Sequence, residues 1–151
     1  MTLVLDTNVV IDWLVFDHPY MNALREGVRA GSLVIVTHPP AVEELRRVLG
    51  YRALRLDAAK QQALVESYEQ QTSLAFELEG MSINSLPLPR GFPRCRDRDD
   101  DPFLALAYRT KGSVLVSRDK AVLKLKRRAA RFGLEILDVQ ELIEQRLAGR
   151  A

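Results

Sequence analysis

The stretch Met1-Thr2-Leu3-Val4-Leu5-Asp6-Thr7-Asn8-Val9-Val10 decides how the rest of the chain is read. Leu3–Leu5 is a short apolar run of the kind that forms a strand buried on both faces, and Asp6-Thr7-Asn8 ends it as a turn. Thr7 or Asn8 is placed to cap a short helix over Val9–Val15. A second apolar run, Ser113-Val114-Leu115-Val116-Ser117, reads as a strand over Val114–Ser117 and is followed at once by Arg118-Asp119. In open α/β sheets, ligands bind outside the carboxyl ends of the strands. Asp6 and Asp119 are both expected on that rim.

Working outward, Pro19 opens a helix to about Arg29, and Gly31 closes it. Leu33–Val36 reads as another strand. Pro39-Pro40 starts a helix through Val48 that ends at Gly50, with Val42, Leu45, Val48 and Leu49 at helical spacing. Asp57 caps a long helix expected to run towards Gly80. Ile83 to Pro93 is proline-rich and reads as a loop with room for a short edge strand. Pro102 suits the first turn of a helix over Asp101–Thr110, stopped by Gly112. A helix over Lys120–Arg131 ends at Gly133, Leu134–Leu137 is a fourth strand, and Val139–Leu147 a closing helix. Strands alternating with helices imply an α/β fold, a mainly parallel sheet covered on both faces. At 151 residues, a single domain over 1–151 is the expectation.

An apolar share of 47% provides for a substantial core. No run approaches the roughly 18 apolar residues needed to cross a bilayer, so no membrane role is expected. The chain enters a strand without a basic segment or cleavage site, which argues against a signal peptide. One cysteine, Cys95, cannot form an internal disulfide and fits a reducing cytoplasm. The net charge of +2 does not by itself demand a nucleic-acid partner. Its distribution says more: Arg90, Arg94, Arg96 and Arg98 flank an acidic stretch, and Lys120, Lys124, Lys126, Arg127, Arg128 and Arg131 follow Asp119. Basic residues beside an acidic site suit a substrate that carries phosphates, although each alone also reads as part of a solvated helix face.

The acidic stretch is Asp97-Arg98-Asp99-Asp100-Asp101. One Asp at a helix start needs no explanation beyond capping. Four acids within five residues are different. Like charges a few ångströms apart repel by about 1 kcal/mol in water, and more at lower dielectric. A bound cation turns that repulsion into attraction, and an all-oxygen donor set favours Mg²⁺ or Mn²⁺. Glu43 and Glu44 lie about 100° apart on their helix, so only one faces a given site.

The ordered set is strand-Asp6-Thr7-Asn8, Glu44-Leu45, Asp100 before Phe103-Leu-Ala-Leu-Ala107, and Ser117-Arg118-Asp119. It resembles the PIN-domain ribonucleases, most closely the VapC-like toxin components of type II toxin–antitoxin systems. The resemblance spans nearly the whole chain, and VLDTNV and VSRD are its most specific pieces. It implies a three-layer α/β/α sandwich and hydrolysis of RNA phosphodiesters by metal-activated water, leaving a 5′-phosphate and a 3′-hydroxyl. It assigns Asp6, Glu44, Asp100 and Asp119 as catalytic metal ligands, with Asn8 and Ser117 as polar support. Asp97, Asp99 and Asp101 are spare acids that leave the third ligand open by one residue either way. It further implies Mg²⁺ or Mn²⁺ as cofactor, RNA as substrate, a cognate antitoxin as partner and a homodimer as assembly, in the cytoplasm. Lys120, Lys124 and Arg128 are the expected contacts to the RNA backbone, which position a strand without reading its bases.

Among rivals, a haloacid-dehalogenase-type phosphatase also starts with strand-Asp and uses Mg²⁺. It needs a second Asp where this chain has Asn8, which cannot shuttle a proton. A phospho-receiver module needs an acidic pair where Thr7 and Asn8 stand. An inactive binding module on the same fold has no use for four placed acids. His18 and His38 read as loop or core residues; Trp13, Phe16, Tyr20 and Phe92 have rings that can stack on bases, but such residues are more often core or partner contacts and are left out of the site.

Overall fold

β1 (Thr2–Leu5) is apolar on both faces and takes the central place in the sheet. The computed structural model describes residues 1–75, 88–97 and 100–148. β2 (Val34–Thr37) and β3 (Thr72–Leu74) extend the sheet on one side of β1. β4 (Ser113–Val116) and β5 (Glu135–Leu137) extend it on the other. The order is β3-β2-β1-β4-β5, and every neighbouring pair is parallel. The chain steps outward from β1 to β3, then crosses back to β4, so its direction of progress reverses between β1 and β4. That reversal is where an open α/β sheet forms its binding crevice.

Register then sets what stands in the crevice. Leu5 pairs with Val116. The Asp6 N–H donates to the Val116 carbonyl at 2.9 Å, and the Ser117 N–H donates to the Leu137 carbonyl at 3.1 Å. The chain therefore leaves β1 and β4 at the same height, with Asp6 beside Ser117.

Alternation along the strands builds one core on each face. Leu3, Leu5, Val114 and Val116 pack into one apolar cluster, and Val4 and Leu115 into the other. The first is covered by α1 (Thr7–Leu14), α2 (Asn22–Arg29), α3 (Pro39–Leu49), α4 (Ala58–Gln70) and α8 (Val139–Leu142). The second is covered by α5 (Asp101–Arg109), α6 (Lys120–Leu123) and α7 (Lys126–Ala130). The result is the three-layer α/β/α arrangement that the alternating pattern implies. Gly112 and Gly133, at φ 76° and 81°, take the left-handed turns that let α5 and α7 end and the next strands begin. β5 closes one side of the sheet, and both oxygens of Glu135 accept from the Arg146 guanidinium at 2.7 and 2.8 Å. Among the described residues, no helix is long and apolar enough to cross a membrane.

Several boundaries differ from the sequence reading. The helix capped by Asp57 stops at Gln70 instead of running towards Gly80, and Thr72–Leu74 forms a strand. Three residues, two of them polar and two of them exposed, give no apolar run from which to recognise it. That strand supplies the sheet position beside β2, whereas residues 88–97 contain no strand. The remainder of the proline-rich stretch, 83–87, lies outside the described residues, as do 76–80 at the expected end of the long helix. α1 begins at Thr7, with Asp6 in the N-cap position, so neither Thr7 nor Asn8 caps it. The helix expected over Lys120–Arg131 is split into α6 and α7. The closing helix passes from α8 into a π-helical turn over Ile143–Leu147.

Leu115 is fully buried in the middle of β4. Leu115→Ala is expected to lower the unfolding free energy by about 3 kcal/mol, through lost burial and the cavity left behind. Urea unfolding measures it, and a loss below about 1 kcal/mol would contradict the packing described.

Candidate active site

Asp6 is only 4% exposed at the end of β1. It occupies the N-cap position of α1, yet its side chain makes no capping bond to the helix turn that follows. One carboxylate oxygen, Oδ2, instead accepts from the Ser117 hydroxyl at 2.6 Å, with the Asn8 amide 3.5 Å away. Ser117 Oγ accepts in turn from the Asp119 N–H at 3.1 Å. With that lone pair engaged, the hydroxyl proton points to Asp6. Asn8 Oδ1 accepts from the Arg118 N–H at 3.3 Å. The β1–α1 and β4–α6 turns are thus stitched together by two polar side chains.

Asp119 sits at the N-cap of α6 and accepts from the Ala121 N–H through Oδ1 at 2.7 Å. Glu44 reaches the same rim from α3, its Oε2 accepting from the Thr7 hydroxyl at 2.5 Å. Glu43 points elsewhere: it is 71% exposed and pairs with Arg46 at 3.5 Å. The choice left open by helical geometry therefore falls on Glu44, about three-quarters buried and held to the turn after Asp6.

The acidic stretch divides by environment. Asp100, at the N-cap position of α5, makes no capping bond; its Oδ2 faces the Cys95 thiol at 3.7 Å. Asp101 turns to its own loop, accepting from the Cys95 N–H at 2.7 Å with Arg94 4.0 Å away. Asp97 accepts the Asp100 N–H at its backbone carbonyl, 3.2 Å away, and its charge acts on Asp100. Asp99 lies outside the described residues.

Electrostatics link these positions. Burial pushes Asp6 up to about 6, and the charges of Glu44 and Asp119 add to the rise. Hydrogen bonds from Ser117 and the Thr7 backbone partly oppose it. Asp100 is pushed up to about 7, first by burial and then by the charges of Asp6, Asp119 and Asp97. Carboxylates from four separate segments therefore feel one another in a partly desolvated crevice.

Among the described residues, no three His, Cys, Asp or Glu side chains are spaced as a ready-made cage for one ion. The donors nevertheless fit a hard divalent cation of the Mg²⁺ type. Such an ion keeps much of its water and is commonly held through only one or two carboxylates. The charged donors of the crevice are all carboxylate oxygens, with negative charge that burial leaves poorly compensated, and the Cys95 thiol stands 3.7 Å from Asp100 Oδ2. Asp6, Asp100, Asp119 and Glu44 are the residues that would hold it.

Of the expected RNA contacts, Lys120, Lys124 and Arg128 are all exposed after Asp119. Lys126 is withdrawn from that group by its ion pair with Glu141. Two residues of the site escaped the sequence reading. Thr7 serves as the Glu44 donor rather than as a helix cap. Asp12, on α1, is wholly buried, accepts from the Tyr20 hydroxyl at 2.8 Å and faces the Arg118 guanidinium at 3.2 Å. An acid inside the apolar stretch Val9-Val-Ile-Asp12-Trp-Leu14 was the available signal, because a buried charge requires a partner.

A family model described as the PIN domain matches residues 2–121, a span that includes Asp6, Glu44, Asp100 and Asp119. No curated protein matches the chain.

Asp6 carries a stability consequence. Its folded value of about 6 exceeds the ordinary carboxylate value of 3.8, so the folded state favours the protonated form. The favourable contribution is full below about 4 and disappears as pH rises through about 6; for Asp6 it is on the order of 2 to 3 kcal/mol. Asp100 acts in the same direction up to about 7. Thermal unfolding in EDTA should show stability falling between pH 5 and pH 8, with added Mn²⁺ restoring it most at the higher pH. Asp6→Asn should flatten the dependence; a metal-free protein whose stability rises over that interval would contradict this electrostatic account.

Proposed function

The chain belongs to the PIN-domain family, and from that premise we propose that it is a metal-dependent endoribonuclease working through Asp6, Glu44, Asp100 and Asp119. The observation that carries the reading is the convergence of these acids on the β1–β4 crevice, where burial first and then their mutual charges raise the carboxyls of Asp6 and Asp100. When bound there, Mg²⁺ or Mn²⁺ lowers the pKa of a water and offsets charge on the phosphodiester. The protein's own contribution is placement. Ser117 fixes the orientation of Asp6, Thr7 that of Glu44, and Asn8 holds the two turns at a set separation. Burial of Asp6 excludes bulk water from that side of the crevice and strengthens its interaction with any cation. Lys120, Lys124 and Arg128 approach the phosphates of the strand. Asp101 acts through structure, holding the loop at Cys95.

The finer reading is the toxin of a toxin–antitoxin pair, with a cognate antitoxin as partner, a homodimer as assembly and the cytoplasm as its place of action. The likeness of VLDTNV and VSRD to that group supports it. Induced expression in a bacterial host should arrest growth, and Asp6→Asn should relieve the arrest; normal growth with abundant active enzyme would remove the toxin role and leave the nuclease intact.

Losing a residue that orients a metal ligand commonly costs about 10- to 100-fold in activity. Ser117→Ala is expected in that range, and Asp6→Asn, which removes a carboxylate oxygen, beyond about 100-fold. Asp100→Asn should cost far more activity than Asp101→Asn, whose effect should appear in stability. Mn²⁺-dependent cleavage of a mixed RNA pool, with EDTA as control, measures all of them. Full activity in folded Asp6→Asn protein would refute the proposal. Charge reversal at Lys124 together with Arg128 should weaken RNA binding and reduce its salt slope by about two contacts' worth. An unchanged titration would return both residues to the role of a solvated face.

A further inference from the structure

A groove of about 550 Å³ shares the β4–α6 turn with the crevice, and of its lining residues only Lys120 has a role so far. Its walls come from the segment before α2, the β4–α6 turn, and the α8 region. Tyr20, Arg118 and Lys120 line it, with Leu123, Val139 and Ile143 supplying apolar surface. Arg118 and Lys120 flank Asp119 directly in the chain, and the Arg118 N–H donates to Asn8 Oδ1 in the turn after Asp6, at 3.3 Å.

The groove is held in shape by the buried acid described above. Asp12 is wholly buried on α1, and its two closest partners both line the groove. The Tyr20 hydroxyl donates to Asp12 at 2.8 Å, and the Arg118 guanidinium meets the same carboxylate at 3.2 Å. The Tyr20 ring is further braced by His18, stacked at 5.1 Å with an interplanar angle of 15°, and His18 meets Phe16 at 5.8 Å. Trp13 and Phe92 are buried in the two cores, but Tyr20 and Phe16 remain 43% and 52% exposed. Of these two, only Tyr20 lines the groove, and an exposed aromatic ring held in place next to two cations suits stacking on a base of single-stranded nucleic acid. Asp138 and Glu144 are the acids of the groove. One Asp138 oxygen is engaged by the Glu141 N–H and one Glu144 oxygen by the Gln140 amide, so local bonds draw on both.

We propose that this groove seats one nucleotide of the RNA strand beside the cleaved bond, with Tyr20 stacking on its base, Arg118 and Lys120 holding its phosphate, and Asp12 positioning both. The proposal rests on the ribonuclease reading and adds a subsite to it. Stacking tolerates any base, so the subsite prefers unpaired strands over duplexes rather than one sequence over another.

The test compares wild type, Tyr20→Ala, Tyr20→Phe and Asp12→Asn on a fluorescent single-stranded RNA oligonucleotide and on bis(p-nitrophenyl) phosphate, a diester without a base. Tyr20→Ala should raise KM on RNA roughly tenfold more than on the base-free diester. Tyr20→Phe keeps the ring and should recover most of that loss; Asp12→Asn should raise KM for RNA with a smaller change in kcat. Circular dichroism and thermal unfolding check that each variant folds. Equal losses on the two substrates, or no loss on either, would overturn the subsite. Unaltered KM with a changed oligomeric state by light scattering would assign the groove to a protein contact and also overturn it. RNA binding in Ca²⁺, followed by fluorescence anisotropy, separates the two layers of the argument. Tight binding that depends on Tyr20, without cleavage by wild type in Mn²⁺, supports the groove and defeats the nuclease. Cleavage and binding indifferent to Tyr20 keep the nuclease and defeat the groove.

Discussion

The hydrogen bond from the Ser117 hydroxyl to Asp6, at 2.6 Å, is the contact on which the site depends. It joins the ends of two strands that are far apart in sequence and adjacent in the sheet. It exists because Leu5 and Val116 share a register position. A slip of one residue would turn every side chain of β1 to the opposite face, and would carry Asp6 away from Ser117. Two-sided burial of β1 and β4 forbids that slip. The apolar packing of both cores therefore determines the placement of a polar group that neither core contains.

The same contact explains how an acid is kept in an unfavourable place. Burial alone raises the free energy of ionised Asp6, and nearby carboxylates raise it further. Ser117 and the Thr7 N–H return part of that cost as hydrogen bonds to the charged form. What is left is a crevice whose negative charge is only partly compensated by the protein. Asp12 follows the opposite logic a short distance away. It too is buried, but it faces a guanidinium and a tyrosine hydroxyl, so its charge is matched within the chain. One buried acid has its charge paired within the chain, with Oδ1 accepting no hydrogen bond, and organises a wall; the others retain capacity for something external.

How far these features were legible depended on how local their causes are. β1, β4, Asp6 and Asp119 could be read because an unbroken apolar run followed by an acid is visible in a few residues. The matching of their heights could not, because register is a property of pairing. Helical spacing alone does not separate Glu43 from Glu44; the resemblance favours Glu44, and the Thr7 hydroxyl holds it in place. Asp100 and Asp101 are adjacent carboxylates with the same local sequence preference. They separate only because the Cys95 amide engages one and the crevice surrounds the other. β3 was missed because Thr72-Ser73-Leu74 gains its strand geometry from β2 alongside rather than from its own composition. The kink that divides Lys120–Arg131 into two helices likewise has no proline or internal glycine to announce it.

β5 forms the outer side of the sheet over only three residues, with Glu135 clasped by Arg146. A strand so brief presents few open amides and carbonyls to an incoming polypeptide, and the clasp puts charge at its margin. Lateral annealing of a foreign chain, whether from an aggregating neighbour or an extended ligand, finds little to grip there. What that side offers to contact is therefore chiefly side-chain surface rather than open backbone.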